Sequence, residues 1–160
     1  MKTEPRQVPL FWISLLRLML GVLFLTTWYS NLQKGFYTAD GLLNFFTNVF
    51  PQANNPLTWY AAFINNVILP IRGFFSVFQL LTELLMGLAL LAGAFTPLVS
   101  LVAAVFILNT FLATYGVDWP WSYLTILGIL GVCFFTRAGR SLGADALLLK
   151  RFGERRLPLW

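Results

Sequence analysis

Four stretches of the chain, 10–32, 73–94, 97–115 and 121–136, carry almost no charge, and each is close to the roughly twenty residues that an α-helix needs to cross a hydrocarbon core. The second and third are separated only by the tight turn "AFTP". Polar positions within them are not scattered. On the first, Ser14, Arg17, Gly21, Phe24, Trp28 and Asn31 recur at steps of three and four residues. On the second, Ser76, Gln79, Glu83 and Met86 do the same. Each helix is therefore expected to turn one polar stripe inward, away from lipid. Thr125, Gly128 and Gly131 on the fourth fit close helix packing.

Between the first two stretches, residues 40–70 are too apolar for a floating loop and too interrupted by Pro51, Pro56 and Pro70 to span. Two short amphipathic helices, at 41–50 and 57–69, satisfy both facts by lying on the membrane surface, where they either roof a cavity or merely shield helix ends. After the fourth stretch, "RAGRSLGADALLLKRFGERR" breaks at its glycines and Ser141 and then reads as a short interfacial helix. The expected architecture is all-α: residues 1–160 form a single integral membrane domain, a bundle of four transmembrane helices with short interfacial helices in the first loop and at the C-terminus.

Composition agrees with a membrane setting. Hydrophobic residues make up 58% and charged residues 11% of the 160, with a mean hydropathy of +0.74, against about 25% charged in soluble domains. The first stretch is longer than the apolar core of a secretory signal and lacks a small-residue cleavage site, so it is expected to be retained as an anchor. Lys2, Arg6, Arg137, Arg140, Lys150, Arg151, Arg155 and Arg156 fall with the two termini, while the first loop holds only Lys34 and Arg72. By the positive-inside rule both termini are expected to be cytoplasmic, in a multi-pass protein of the cell inner membrane. The net charge of +5 then serves topology and contact with anionic membrane lipid; no motif points to nucleic acid. Trp28, Tyr29, Trp59, Tyr60, Tyr115, Trp119, Trp121 and Tyr123 gather at the opposite interface as an aromatic belt.

The sequence has no histidine and a single cysteine, Cys133, which excludes an internal disulfide and leaves no ligand set for haem, an iron–sulfur cluster or zinc. Cys133 has no neighbour that would activate its thiol. No metal site is expected, and any redox role must borrow its cofactor. The candidate chemistry lies instead in two intramembrane charges, Arg17 and Glu83. A buried charge costs at least about 2.5–3.5 kcal/mol in a span, so each needs a partner, a cavity or a neutral form. Arg17 lies roughly 10 Å and Glu83 roughly 16 Å from the cytoplasmic ends of their helices, close enough for a bridge. Side chains tilt toward helix N-termini, however, which sends Arg17 toward the cytoplasm and Glu83 the other way. An ion pair with no chemistry and a ligand or proton site both remain open. Asn109 and Thr110 add polar groups on the third stretch, as helix glue or as cavity lining.

The chain resembles the DoxX/DoxD family, the latter being the small membrane subunit of thiosulfate:quinone oxidoreductase. The resemblance runs through "LLRLMLGVLFL" with Arg17 and Gly21, Lys34, "NPLTWYAAFINNVILP", "TELLMGLALLAGAFTP" with Glu83, and "RAGRSLGADALL" ending near Asp145. Asn31 stands where the family pattern has a glycine, and Pro97 where it often has an arginine, which removes a cation from the turn. The resemblance implies a four-helix membrane bundle and a quinone-linked oxidoreductase subunit working with a partner subunit or membrane complex. It also implies quinone as the cofactor. On that reading Glu83 and Arg17 are the candidate catalytic residues, and Trp28, Asn31, Lys34, Gln79 and Asn109 the candidate quinone contacts. The alternative is a non-catalytic subunit that packs within a respiratory or photosynthetic complex and fixes quinone, pigment or lipid by shape.

Overall fold

A computed structural model describes residues 9–153 and Trp160; among them every regular element is helical. Of the basic residues that set the expected orientation, Lys2, Arg6, Arg155 and Arg156 lie outside the described residues. Helix α1 is Leu10–Gln33, α2 is Ala39–Asn44, α3 is Thr58–Phe63, α4 is Arg72–Ala92, α5 is Thr96–Ala113, α6 is Pro120–Thr136 and α7 is Ala144–Phe152. The boundaries follow from local chemistry. Gly93, with φ +64°, ends α4 in the left-handed conformation that only glycine adopts cheaply. Pro97 and Pro120 sit in the first turns of α5 and α6, where a missing N–H costs nothing.

Three helical segments are long and apolar enough to cross a membrane: Leu10–Gln33, Thr58–Ala92 and Thr96–Ala113; Pro120–Thr136 is a shorter apolar helix. The Thr58–Ala92 segment departs from the sequence expectation, which had Pro70 separate a surface helix from a span. The chain instead stays helical from α3 into α4, through a π-helical turn at Ile64–Ile68 and a 3-10 turn at Leu69–Ile71. These two local changes in winding let the helix pass the proline without a break.

Helices α1, α4, α5 and α6 pack around a core of Leu20, Phe24, Met86, Leu90, Ala103, Ile107, Leu130 and Cys133. The closest seams are α1 with α4 and α5 with α6; α4 and α5, although joined by a tight turn, touch sparingly. Two glycines bring α1 onto α4. A Cβ on Gly21 would meet the Leu91 backbone, and one on Gly87 would meet Leu25. By contrast a Cβ on Gly128 or Gly131 would meet nothing, so the glycines of α6 are not used for packing within this chain.

The long loop folds back over one end of the bundle. Helix α2 continues as a π-helical turn at Phe45–Val49, and Leu42, Phe46, Tyr60, Ile64, Ile68 and Ala113 form a second core there. Two buried amides pin this layer to the last carbonyls of α5. Gln52 Nε2 donates to Ala113 O at 3.0 Å, and Asn55 Nδ2 donates to Leu112 O at 2.9 Å. Those carbonyls have no partner within their own helix, so the side chains satisfy them while closing the roof.

Candidate functional site

The two intramembrane charges lie in different places and do not meet. Arg17 is fully buried. Its Nη1 donates to the carbonyls of Leu90 and Leu91, the latter at 2.9 Å, and its Nη2 donates to Leu142 O at 2.8 Å. It thus places a positive charge on the negative C-terminal end of α4. Gly93 makes room for it, since a Cβ there would strike the guanidinium and the Gly143 Cα.

Asp145, also fully buried, does the converse on the next helix. Its Oδ1 accepts the Phe95 N–H at 2.6 Å and its Oδ2 the Thr96 N–H at 2.8 Å, which caps the positive N-terminus of α5. The Asp145 N–H returns to Gly93 O at 2.9 Å. Ser14 Oγ fastens the same region by donating at 2.9 Å toward Ala138 O and lying 2.8 Å from Ser141 O. The "RAGRSLGADALL" stretch is therefore wrapped against α1 and the α4–α5 turn, with Arg17 at the centre.

Glu83 points the other way, toward the roofed end, as the tilt of helical side chains requires. It is 4% exposed. Tyr37 donates its phenolic O–H to Glu83 Oε2, and Asn31 Nδ2 lies 3.5 Å from the same oxygen. Both contacts fall on Oε2, Gln79 hydrogen-bonds the same carboxyl, and Glu83 lines a cavity. Tyr37 comes from the segment after α1, where Gly35 turns the chain with φ +68° and the Phe36 N–H bonds back to Asn31 O at 3.0 Å. Phe36 holds the ring edge-on, centroids 5.4 Å apart. Burial, and then the Glu83 carboxylate, push the Tyr37 phenol above its ordinary range, so at neutral pH it is a proton-bearing donor.

Beside Glu83 lies a cavity of about 520 Å³ between the helices and the roof. That volume is within the range of small-molecule sites, roughly 300–1,000 Å³. Its wall is largely aromatic, with Phe24, Phe45, Phe75, Phe78 and Phe106 among the rings. Four sequence candidates line it: Asn31, Gln79, Glu83 and Asn109. Arg17, Trp28 and Lys34 lie outside its lining. Lys34 is exposed, and the Trp28 indole N–H is buried without a partner.

Three tyrosines complete the site. Beyond Tyr37, Tyr60 donates to Asn109 Oδ1 at 2.8 Å, and Tyr123 donates to the exposed Asp118 at 2.5 Å while Thr114 Oγ1 lies 3.1 Å from its hydroxyl. Tyr60 and Tyr123 belong to the expected interfacial belt by sequence, yet both turn into the cavity wall. Tyr29, Trp59, Tyr115, Trp119 and Trp121 are the exposed members. Tyr37 was not singled out by sequence; its one signal is its place directly after a Gly-marked helix end.

Chemically, the arrangement offers an apolar slot for a flat ring, a buried carboxyl, a phenol that reinforces it, and amides on neighbouring walls. Comparison with known proteins adds one finding: the model of a family described as DoxX matches residues 12–116, which covers α1 to α5 with Arg17, Tyr37 and Glu83. No curated protein and no solved structure matches the chain.

Proposed function

The chain belongs to the DoxX family, and we propose that within it this chain is a quinone-binding subunit of a membrane oxidoreductase, with Glu83 as its proton-bearing group. The observation that carries the reading is the Glu83–Tyr37–Asn31 cluster set in the wall of an aromatic cavity. A buried carboxyl is expensive in a membrane and marks a functional site unless something neutralises it. The cation that could have done so, Arg17, is committed to backbone carbonyls.

The residues fit a quinone. Phenylalanines supply faces for a ring, and Gln79, Asn31 and Asn109 supply amides within reach of the same space. A bound quinone supplies two-electron redox chemistry and takes up two protons on reduction. The chain's part is to exclude water with its roof, orient the ring, and hold a proton on the Glu83 carboxyl, which Tyr37 fixes at Oε2. Electrons come from a partner subunit; on the family resemblance, that partner joins two thiosulfates into tetrathionate. In this reading α6 is the fourth span. Its 17 residues cover about 26 Å, and Trp119 and Trp121 at one end with Arg137 at the other anchor it between interfaces. Both termini then face the cytoplasm, Glu83 lies toward the outer leaflet, and residues 1–160 act as one membrane domain.

The test is purification from the native membrane in mild detergent, followed by solvent extraction and identification of co-purifying subunits. Quinone in near-stoichiometric amount, reduced from Glu83→Gln preparations, supports the reading. A chain that carries none and binds none when quinone is added contradicts it.

A further inference from the structure

Resting on that reading of the cavity, we infer that the quinone enters sideways from the bilayer through the seam between α4 and α5, and that its hydrocarbon tail stays in that seam. A second, apolar groove of about 330 Å³ runs between these helices, formed by Leu85, Met86 and Ala89 on one side and Leu98 and Val99 on the other. It shares Thr82 and Val102 with the main cavity, so the two spaces meet at that pair. The other seams are more closely held. The roof is pinned to α5 by Gln52 and Asn55, the α1–α4 seam is shut by the contacts at Gly21 and Gly87, and α5 is packed along α6. The α4–α5 seam is the one where neighbouring helices touch little.

The chemistry of the groove fixes what part of the ligand it takes. Its one polar side chain, Thr82, already donates its hydroxyl to Phe78 O at 2.7 Å, leaving no free donor. A polar head placed there would lose its hydrogen bonds, whereas a saturated or isoprenoid chain would not. The polar groups begin past Thr82 and Val102, at Gln79, Glu83 and Asn31. The fold therefore sorts an amphiphile end for end: small polar ring under the roof, tail along α4 and α5 toward the α7 end, facing lipid. A water-soluble quinone or a charged solute has no such route.

Two photoreactive long-chain quinones test this, one with a diazirine on the ring and one with a diazirine on the distal tail. Each is irradiated with the purified protein in lipid nanodiscs, with and without excess unlabelled quinone, and adducts are mapped by mass spectrometry. The expected result is competable ring adducts in the cavity, around Phe78–Glu83 or Phe106–Thr110, and competable tail adducts at Leu85, Ala89 or Leu98. Val102→Trp, which plugs the junction, is expected to lose the tail adducts. Ring adducts in the cavity with tail adducts on α1 or α6 overturn the seam and leave the quinone reading standing. Absence of any competable ring adduct removes both.

Discussion

Arg17 and Asp145 hold one turn from its two sides: the guanidinium donates to Leu90 and Leu91 at the end of α4, and the carboxylate accepts from Phe95 and Thr96 at the start of α5. The charges complement opposite helix ends, so each is stabilised by backbone dipoles instead of needing a side-chain ion pair. Arg17→Met should therefore act on stability. It strips three carbonyls, that of Leu90 buried, of a charged donor and is expected to cost about 3 kcal/mol, with Asp145→Asn costing about 1–2 kcal/mol. Thermal unfolding in detergent checks this; a wild-type melting temperature for Arg17→Met would remove the clamp.

A second prediction separates glycines that the sequence could not. Gly21→Ala drives a Cβ into the Leu91 backbone, 2.7 Å from its nitrogen, and should loosen the α1–α4 seam. Gly128→Ala and Gly131→Ala meet open space and should be neutral, or stabilising by up to about 1 kcal/mol through helix propensity. Parallel melting curves decide between these outcomes, and equal losses at all three positions would contradict the seam.

Much of the scaffold was legible because its cues are local. The apolar runs place the ends of the four long helices within two residues of where they fall. What depended on tertiary contact was not. Pro70 reads as a break, but neighbouring π and 3-10 turns absorb it. The depths of Arg17 and Glu83 allow a bridge, and only side-chain direction separates them. Glu83, Gln79 and Asn31 were found from their helical spacing, whereas Tyr37 reaches the carboxyl from beyond a turn and has no periodicity to reveal it.

The third prediction concerns pH. Because the Tyr37 phenol is pushed up in the folded protein, the folded state holds its proton where the unfolded chain has released it. The sign follows: its contribution to stability is whole below the ordinary tyrosine value of about 10 and falls away as pH rises above it. Stability in that alkaline window should drop more steeply for wild type than for Tyr37→Phe. Identical slopes would mean that the Tyr37 phenol is not held buried against Glu83. At neutral pH the same substitution leaves Glu83 Oε2 with Asn31 alone and should cost about 1–2 kcal/mol.

The central claim is that Glu83 serves the bound quinone as an acid and not the fold as a charge, and the most direct measurement is quinone-linked proton uptake by Glu83→Gln beside its melting temperature. The amide keeps an oxygen for the Tyr37 O–H and leaves Arg17 untouched on its carbonyls, so the variant should unfold close to wild type. Proton uptake should fall by about 10²–10⁴-fold, the usual contribution of a positioned general acid. Wild-type uptake in a stably folded Glu83→Gln protein would contradict the account.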